Sequence, residues 1–353
     1  MKTPMRLIAA SLFATAVLAA PAYAVEDDSA QLREQAAALI STHTMIASDT
    51  PGIELYLRNK RPKGLVATQE RTVLFVHGAT YPAETSFDLT LDGLSWMEYI
   101  AAQGWDVWLV DLRGYGRSTR PPEMAQPAAD NAPIVTTDVA IRDVAAAVEH
   151  ILKLRGIPRL NLIGWSWGTT IMAGYAAENN EKVVRLVLYA PVWLRDTPSQ
   201  LGGNGALGAY REVTKEAANQ RWTRGVPEDK LAGLIPEGWF DAWANATWST
   251  DPQSAQSGLL RAPNGVVHDV RTYWMQGRPM YAPEKISVPT LIVGAEWDQD
   301  TPPYMAQALF GLLKNATEKR RVEIGEGTHT VIMEKNRMQL FREVQLFLES
   351  PLY

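Results

Sequence analysis

The sequence predicts an α/β protein with a mostly parallel central sheet that is covered by helices on both faces. Short apolar runs rich in β-branched residues alternate with longer stretches of helical periodicity. The runs are apolar throughout, as expected of parallel strands that are buried on both faces. This alternation stops after Pro191 and resumes at Pro289, which indicates an insertion between two strands. A chain of 353 residues is long enough for one large domain with such an insertion.

The elements before the insertion follow from periodicity and from breaking residues. Residues 25–50 are expected to form a helix and then a loop that ends at Pro51-Gly52. After them we expect, in chain order, a strand at 53–57, a strand at 72–76, a helix at 96–103, a strand at 106–110, an amphipathic helix at 137–155, a strand at 159–164, a helix at 168–179 and a strand at 183–190. After the insertion we expect a strand at 289–293, a helix at 303–313, a strand at 321–324 and a helix at 332–348.

The N-terminus has the features of a secretory signal peptide. Lys2 and Arg6 precede an apolar run at residues 7–20, and Ala22-Tyr23-Ala24 supplies a site with small residues for cleavage. The run is shorter than the ~20 residues that cross a bilayer, so no stable membrane insertion is expected after cleavage. The sequence thus predicts export, with a periplasmic or secreted protein cleaved near Ala24.

The domain organisation predicted for the remaining chain is a core interrupted by a cap. Residues 25–191 and 286–353 form the core, and residues 192–285 form a helical cap that is rich in tryptophan. The cap contains six tryptophans, namely Trp193, Trp222, Trp239, Trp243, Trp248 and Trp274.

Composition excludes several functional classes. The chain has no cysteine, which excludes thiol nucleophiles and thiolate metal sites, and no pair of its five histidines has the spacing of a helical metal site. No metal and no cofactor are therefore expected. The formal net charge is −5 and basic residues are not clustered, so nucleic acid is not an expected partner. A small-molecule substrate remains, and the oligomeric state is left undetermined.

A candidate nucleophile lies in the motif G-x-S-x-G at Gly164–Gly168, with Ser166 at its centre. The motif follows an apolar strand and opens a helix, which are the flanks that a nucleophile elbow requires. A side chain at either glycine would collide with the neighbouring helix or strand. The tight turn exposes the hydroxyl at the N-terminus of a helix, where the helix dipole favours negative charge.

A serine nucleophile needs a base, and the base needs a carboxylate to orient it. His329 follows the last core strand and is the expected base, whereas His268 in the insertion is expected to be structural. Asp298 follows the strand at 289–293 and is the preferred acid. Three other carboxylates remain alternatives for the acid, namely Glu296, Asp300 and Asp196.

Two backbone N–H groups are needed to stabilise the oxyanion of the tetrahedral intermediate, each worth on the order of 3 kcal/mol. One is expected from Trp167, directly after the serine, and the other from Ala79 in the loop after the strand at 72–76. His77 is expected to shape that loop and not to act as a base. The segment 111–118 (DLRGYGRS) is expected to be a structural loop.

Over residues 50–350 these pieces together resemble the α/β-hydrolase superfamily, of the type with a cap inserted after the sixth strand. The markers are His77-Gly78, the segment 111–118, the motif around Ser166, Asp298 and His329, in the family's order Ser, Asp, His. Serine at 166 argues against haloalkane dehalogenases and epoxide hydrolases, which carry aspartate there. The elbow is similar to that of proline iminopeptidases, although those enzymes usually have glycine at the position of Trp165 and a different oxyanion loop.

The expected substrate is a carboxylic ester with a hydrophobic or aromatic group, cleaved through an acyl-enzyme. Aromatic side chains near the serine and in the cap are expected to bind it, namely Tyr81, Trp165, Trp193, Trp239 and Trp243. The alternatives are an aminopeptidase like the proline iminopeptidases, a hydrolase of carbon–carbon bonds, and a non-catalytic binding protein on the same fold. The aminopeptidase would need a cap carboxylate for the substrate ammonium, with Glu212, Glu216 and Glu237 as candidates.

Overall fold

The computed structural model describes residues 28–199, 201 and 205–351. The predicted signal peptide and its cleavage site at Ala24 lie outside the described residues. Within the described ranges, no helix is both long and apolar enough to cross a membrane.

The centre of the molecule is an eight-stranded sheet with the strand order β1-β2-β4-β3-β5-β6-β9-β10. Its six strands from β4 to β10 in that order run parallel, and β1 and β2 are antiparallel additions at one edge. The ten strands of the described chain are β1 (Ile40–Ala47), β2 (Glu54–Arg61), β3 (Thr72–Val76), β4 (Asp106–Val110), β5 (Leu160–Trp165), β6 (Val183–Tyr189), β7 (Tyr210–Val213), β8 (Leu260–Pro263), β9 (Thr290–Ala295) and β10 (Lys319–Ile324).

Helices cover both faces of this sheet. In the described ranges they are α1 (Asp28–Ala37), α2 (Ala83–Phe87), α3 (Trp96–Ala102), α4 (Thr137–Arg155), α5 (Trp167–Glu178), α6 (Lys215–Trp222), α7 (Trp239–Trp248), α8 (Ser254–Ser257), α9 (Gly265–Thr272), α10 (Pro303–Leu312) and α11 (Arg337–Glu349). The predicted fold class, an α/β-hydrolase fold with a mostly parallel sheet between layers of helices, is confirmed.

Burial explains why the strands are apolar throughout. Every residue of β3 and β4 is buried, and neighbouring side chains along a strand enter opposite halves of the core. Leu74 packs in one half with residues of α4 and α5, whereas Phe75 packs in the other half with residues of α3 and α11. Parallel strands covered on both faces have no solvent side, so the alternation of apolar and polar residues is absent.

The prediction of a loop before Pro51 is wrong, because residues Ile40–Ala47 form strand β1. This strand pairs antiparallel with β2 along its whole length. As an edge strand it has mostly exposed or half-buried side chains, so it lacks the apolar run that marks the central strands. β2 also continues to Arg61, beyond the predicted end at residue 57.

The segment between β6 and β9, which contains the predicted cap, has a short ribbon in addition to its helices. It contains α6 to α9 and a two-stranded antiparallel ribbon in which β7 pairs with β8. The ribbon is separate from the central sheet. The division of the chain into core and cap remains a prediction.

Candidate active site

Ser166 lies in the turn between β5 and α5, and its backbone is strained. Its φ of 57° and ψ of −121° put a residue with a side chain in a conformation that costs on the order of 1–3 kcal/mol. The surrounding backbone holds this conformation. The Ser166 N–H donates to the Tyr189 carbonyl at the end of β6, 2.9 Å away, and the Ser166 carbonyl accepts from Thr169 N–H at 2.9 Å.

The glycines of the motif are required by close backbone approaches. A β-carbon at Gly164 would lie 2.3 Å from the Gly168 carbonyl oxygen, and one at Gly168 would lie 2.5 Å from the Val76 carbonyl oxygen at the end of β3. Gly78 has the same role opposite the serine, because a β-carbon there would come within 2.9 Å of the Ser166 β-carbon. The turn around Ser166 therefore packs closely against the end of β3 and the loop after it only because all three positions are glycine.

His329 and Asp298 form a buried pair. His329 follows β10, and its Nδ1–H donates to Oδ2 of Asp298, which follows β9, at 2.8 Å. The backbone N–H groups of Asp300 and Thr301 donate to Oδ1 of Asp298, both at 2.8 Å, and the Thr301 hydroxyl donates to Oδ2 at 2.7 Å. Each carboxylate oxygen thus accepts two hydrogen bonds. Because the His329 ring carries its proton on Nδ1, which faces Asp298, its Nε2 is the unprotonated nitrogen.

The alternative acids have other partners. Glu296 accepts from the backbone N–H of Glu326 at 2.8 Å, and Asp300 forms an ion pair with Arg221 at 2.7 Å. Asp196 is exposed, and its backbone N–H donates to the hydroxyl of Tyr304. Asp298 is therefore the carboxylate that the structure places on His329.

The electrostatic surroundings of His329 suit a base. Burial lowers the pKa of His329, but the negative charge and the hydrogen bond of Asp298 outweigh burial and raise the pKa above its ordinary value of 6.5. The backbone of His329 is also fixed, because its carbonyl accepts from the Trp165 indole N–H at 3.1 Å and from the Tyr189 hydroxyl at 2.9 Å.

We expect activity to be lost on the acid side as His329 becomes protonated, since an imidazolium cannot accept the serine proton. A raised pKa moves this loss to higher pH, so the acid limb of kcat/KM should have its midpoint above 6.5 and a plateau beyond it. A pH profile with an uncharged ester would measure it. A limb centred below pH 6 would contradict the assignment of His329 as the base.

The loop after β3 is held by hydrogen bonds of the buried residues His77 and Asp111. The Nδ1–H of His77 donates to the Gly78 carbonyl at 2.7 Å, and its Nε2 accepts from the Leu112 N–H at 3.1 Å. Burial lowers the pKa of His77 to about 4, so its ring is neutral and shapes the loop. Asp111 accepts from the Ala83 N–H at 2.8 Å, which joins the start of α2 to the segment 111–118.

Trp167 opens α5, where the first N–H groups of a helix have no partner inside the helix. Its indole N–H donates to the Thr137 hydroxyl at 2.9 Å. Thr137 in turn donates through its own hydroxyl and N–H to the Asp269 carboxylate of α9, at 2.6 and 2.7 Å. The side chain of the expected oxyanion donor is therefore fixed between α4 and α9.

Two cavities meet at Ser166. The first cavity is lined by Gly78, Ala79, Tyr81, Trp165, Ser166, Ala218, Arg221, Trp222, Trp243, Asp300, His329 and Thr330. The second cavity is lined by Ala79, Ser166, Trp167, Val192, Arg195, Ser199, Leu201, Arg221, Val266, Val270, Trp274, Asp300 and Thr301. Ser166 and His329 share the first cavity, although no hydrogen bond joins the Ser166 hydroxyl to the His329 ring within the described residues. Such contacts are often longer before substrate binds.

The structure brings together part of the predicted aromatic set. Tyr81, Trp165 and Trp243 line the first cavity, with Tyr81 and Trp243 in edge contact at 4.7 Å. Trp193 and Trp239 line neither cavity, contrary to the expectation that they bind substrate. Trp193 packs on Tyr281, and Trp239 lies under the Arg337 guanidinium at 4.5 Å, because both rings face neighbouring elements and not the serine.

Two tryptophans and two arginines are among the cavity residues that were not predicted from the sequence. Trp222 and Arg221 at the end of α6 line the first cavity, and Trp274 and Arg195 line the second. Both tryptophans belong to the tryptophan-rich segment 192–285, but their spacing along the sequence does not indicate which tryptophans line a cavity. A single arginine in a polar stretch carries no local signal that separates a cavity wall from solvent.

Possible metal ligands do not cluster here. Among residues 28–199, 201 and 205–351, no group of three or more His, Asp or Glu side chains has the arrangement of a metal site.

Comparison with known proteins places the chain in a family. Residues 71–336, more than half of the chain, match the family described as alpha/beta hydrolase fold. Proline iminopeptidase of Neisseria meningitidis is 26% identical over 244 residues, which cover 62% of this chain and 73% of that protein.

Solved structures agree at the level of the fold. A serine hydrolase from the polyaromatic-hydrocarbon-degrading bacterium Cycloclasticus zankles is 16% identical, with a TM-score of 0.60 and coverage of 88% of this chain and 98% of that one. A thermophilic esterase from Thermogutta terrifontis is 18% identical, with a TM-score of 0.54 and coverage of 88% and 100%. The resemblance drawn from the motifs is confirmed, and the chain belongs to the α/β-hydrolase fold family.

Proposed function

We propose that this protein is a serine hydrolase that cleaves a carboxylic ester through an acyl-enzyme on Ser166. The observation that carries the proposal is the buried pair of His329 and Asp298, at 2.8 Å, beside a serine held in a strained turn. A serine hydroxyl becomes a nucleophile when a nearby base can take its proton. Ser166 and His329 line the same cavity, and the hydrogen bond to Asp298 fixes the tautomer of His329.

The reaction follows from these positions. His329 Nε2 takes the hydroxyl proton while Ser166 Oγ attacks the ester carbonyl, and Asp298 stabilises the imidazolium that forms. The N–H groups of Ala79 and Trp167 are the proposed donors to the oxyanion. The imidazolium then gives its proton to the leaving alcohol, and a water activated by the same ring releases the acid.

An ester is favoured over an N-terminal proline peptide by the charges around the cavities. Glu212, Glu216 and Glu237 are all exposed, and none of them lines either cavity. The carboxylate that does line both cavities, Asp300, is already paired with Arg221. A substrate ammonium would therefore meet an arginine where the aminopeptidase needs an unpaired carboxylate.

We expect a fluorophosphonate probe to label the protein, with the adduct found on the peptide that contains Ser166 by mass spectrometry. We also expect a 4-nitrophenyl ester to be hydrolysed and proline 4-nitroanilide to be left intact. Both substrates release a coloured product, so the comparison needs one instrument. Cleavage of the anilide at a rate comparable to the ester would replace the esterase with an aminopeptidase, and absence of labelling would favour a non-catalytic binding protein.

A further inference from the structure

The two cavities share Ser166 and Ala79 but differ in their contact with His329. His329 lines the first cavity but is not among the described residues that line the second. The leaving alcohol must be close to His329, because that ring returns the proton to it. The alcohol therefore belongs in the first cavity. The acyl group is left for the second cavity, which Ser166 and both proposed oxyanion donors also line.

The acyl cavity has an apolar wall and three charged side chains, Arg195, Arg221 and Asp300, of which Arg221 and Asp300 pair with each other at 2.7 Å. Its wall includes Val192, Val266, Val270 and the indole of Trp274, which suit a hydrocarbon chain. Arg195 adds a guanidinium to this wall. Arg195 is half-buried, so its guanidinium is partly removed from water at this wall.

Arg195 has no carboxylate partner within 4.0 Å among the described residues. Its donors reach only backbone carbonyls, those of Asp300 at 2.5 Å, Thr197 at 3.3 Å and Pro198 at 3.4 Å. A guanidinium has five N–H donors, so some remain for a ligand.

The neighbouring acids are committed elsewhere. Asp300 pairs with Arg221 at 2.7 Å, and Asp298 binds His329 at 2.8 Å. Asp196 is exposed and makes no ion pair with Arg195. The acyl cavity thus contains a positive charge that no described carboxylate neutralises by direct contact, in a chain whose formal net charge is −5.

We propose that Arg195 binds a carboxylate at the far end of the acyl group, so that the substrate is a half-ester of a dicarboxylic acid. Planar guanidinium and carboxylate groups match in a paired geometry, and the apolar wall accommodates the chain between the two ends. Hydrolysis breaks the acyl C–O bond, adds the water oxygen to the acyl carbon and returns a proton to the alkoxide, which yields a dicarboxylate and an alcohol. This inference rests on the proposed ester hydrolysis.

The test compares two esters of matched shape, 4-nitrophenyl hydrogen adipate and 4-nitrophenyl 6-methylheptanoate. The acyl chain of the first ends in a carboxylate, and that of the second ends in an isopropyl group of similar size. Spontaneous hydrolysis is measured without protein and subtracted. We expect the wild type to have the higher kcat/KM for the charged ester. Arg195→Met should lower the ratio of charged to uncharged ester about 10- to 100-fold, which corresponds to the loss of a charged hydrogen bond.

Arg278→Met is the matched control, because Arg278 is an exposed arginine of the same segment that contacts the Thr272 carbonyl and the Tyr273 ring. It should leave the ratio as in the wild type. Arg195→Lys keeps the cation and should retain a ratio between those of the wild type and Arg195→Met.

Inhibition of the wild type tests the same inference without depending on whether a variant folds. Adipate should inhibit hydrolysis competitively at lower concentrations than 6-methylheptanoate. A wild type that hydrolyses the uncharged ester as well as the charged one, with the two acids inhibiting equally, would overturn the inference and leave the esterase intact. Hydrolysis of neither ester, without probe labelling, would instead remove the proposed function.

Discussion

Replacing Ser166 with alanine is expected to lower kcat for ester hydrolysis by about 10⁶-fold and to abolish labelling by a fluorophosphonate. The alanine has no oxygen to attack the carbonyl, so the acyl-enzyme cannot form. The oxyanion donors and the cavities remain, and the residual rate should exceed that in water by about 10³- to 10⁴-fold. The measurement is the rate of nitrophenol release from a 4-nitrophenyl ester at saturating substrate.

Ser249→Ala is the matched control for this change, because Ser249 is an exposed serine whose hydroxyl donates to the Ala246 carbonyl at 2.7 Å. It should keep both the rate and the labelling of the wild type. Thermal unfolding of the Ser166 variant should resemble that of the wild type, since alanine also fits the space. A Ser166→Ala protein that retained the wild-type rate or labelling would exclude Ser166 as the nucleophile.

Changing Asp298 to asparagine is expected to lower kcat by about 10⁴-fold. The backbone N–H groups of Asp300 and Thr301 hold one terminal oxygen, so the new amide nitrogen would face the His329 ring. The ring must then accept at Nδ1 and carry its proton on Nε2, where it cannot take the serine proton. The loss of the negative charge should also shift the acid limb of the pH profile to lower pH.

Asp300→Asn separates the assigned acid from its nearest rival. Asp300 pairs with Arg221 and lines both cavities, so this variant should weaken substrate binding and change kcat far less than Asp298→Asn. Labelling by the probe should be slowed strongly in Asp298→Asn and only modestly in Asp300→Asn. A larger loss of kcat in Asp300→Asn would mean that the histidine is oriented by a different carboxylate in the working enzyme.

The turn around Ser166 and the pairing of Asp298 with His329 could be predicted from the sequence because each depends on residues at the end of a strand. The motif around Ser166 joins a buried strand to a helix within a few residues, and its glycines are required by contacts that the turn itself creates. Asp298 and His329 follow the ends of β9 and β10, and the carboxyl ends of parallel strands meet at one edge of the sheet. The positions of Ser166, Asp298 and His329 after the ends of parallel strands therefore predict that they lie at the same edge of the sheet.

Edge strand β1 and the walls of the cavities could not be predicted in this way. β1 is recognised by its pairing with β2 and not by burial, since most of its side chains are exposed or half-buried. The segment 192–285 contains six tryptophans, and only the tertiary structure shows that Trp222 and Trp274 line the cavities whereas the predicted Trp193 and Trp239 do not.

The sequence by itself determined the fold class, the nucleophile elbow and the order of serine, acid and histidine, because strand periodicity and turn chemistry depend on neighbours along the chain. Only the tertiary structure decided that Arg221 pairs with Asp300, and that Arg195 lines the second cavity without a carboxylate within 4.0 Å among the described residues. Those contacts join segments about 80 to 105 residues apart. The free energy of such a contact depends on which groups the folded chain brings together, and the spacing of residues along the sequence does not give this information.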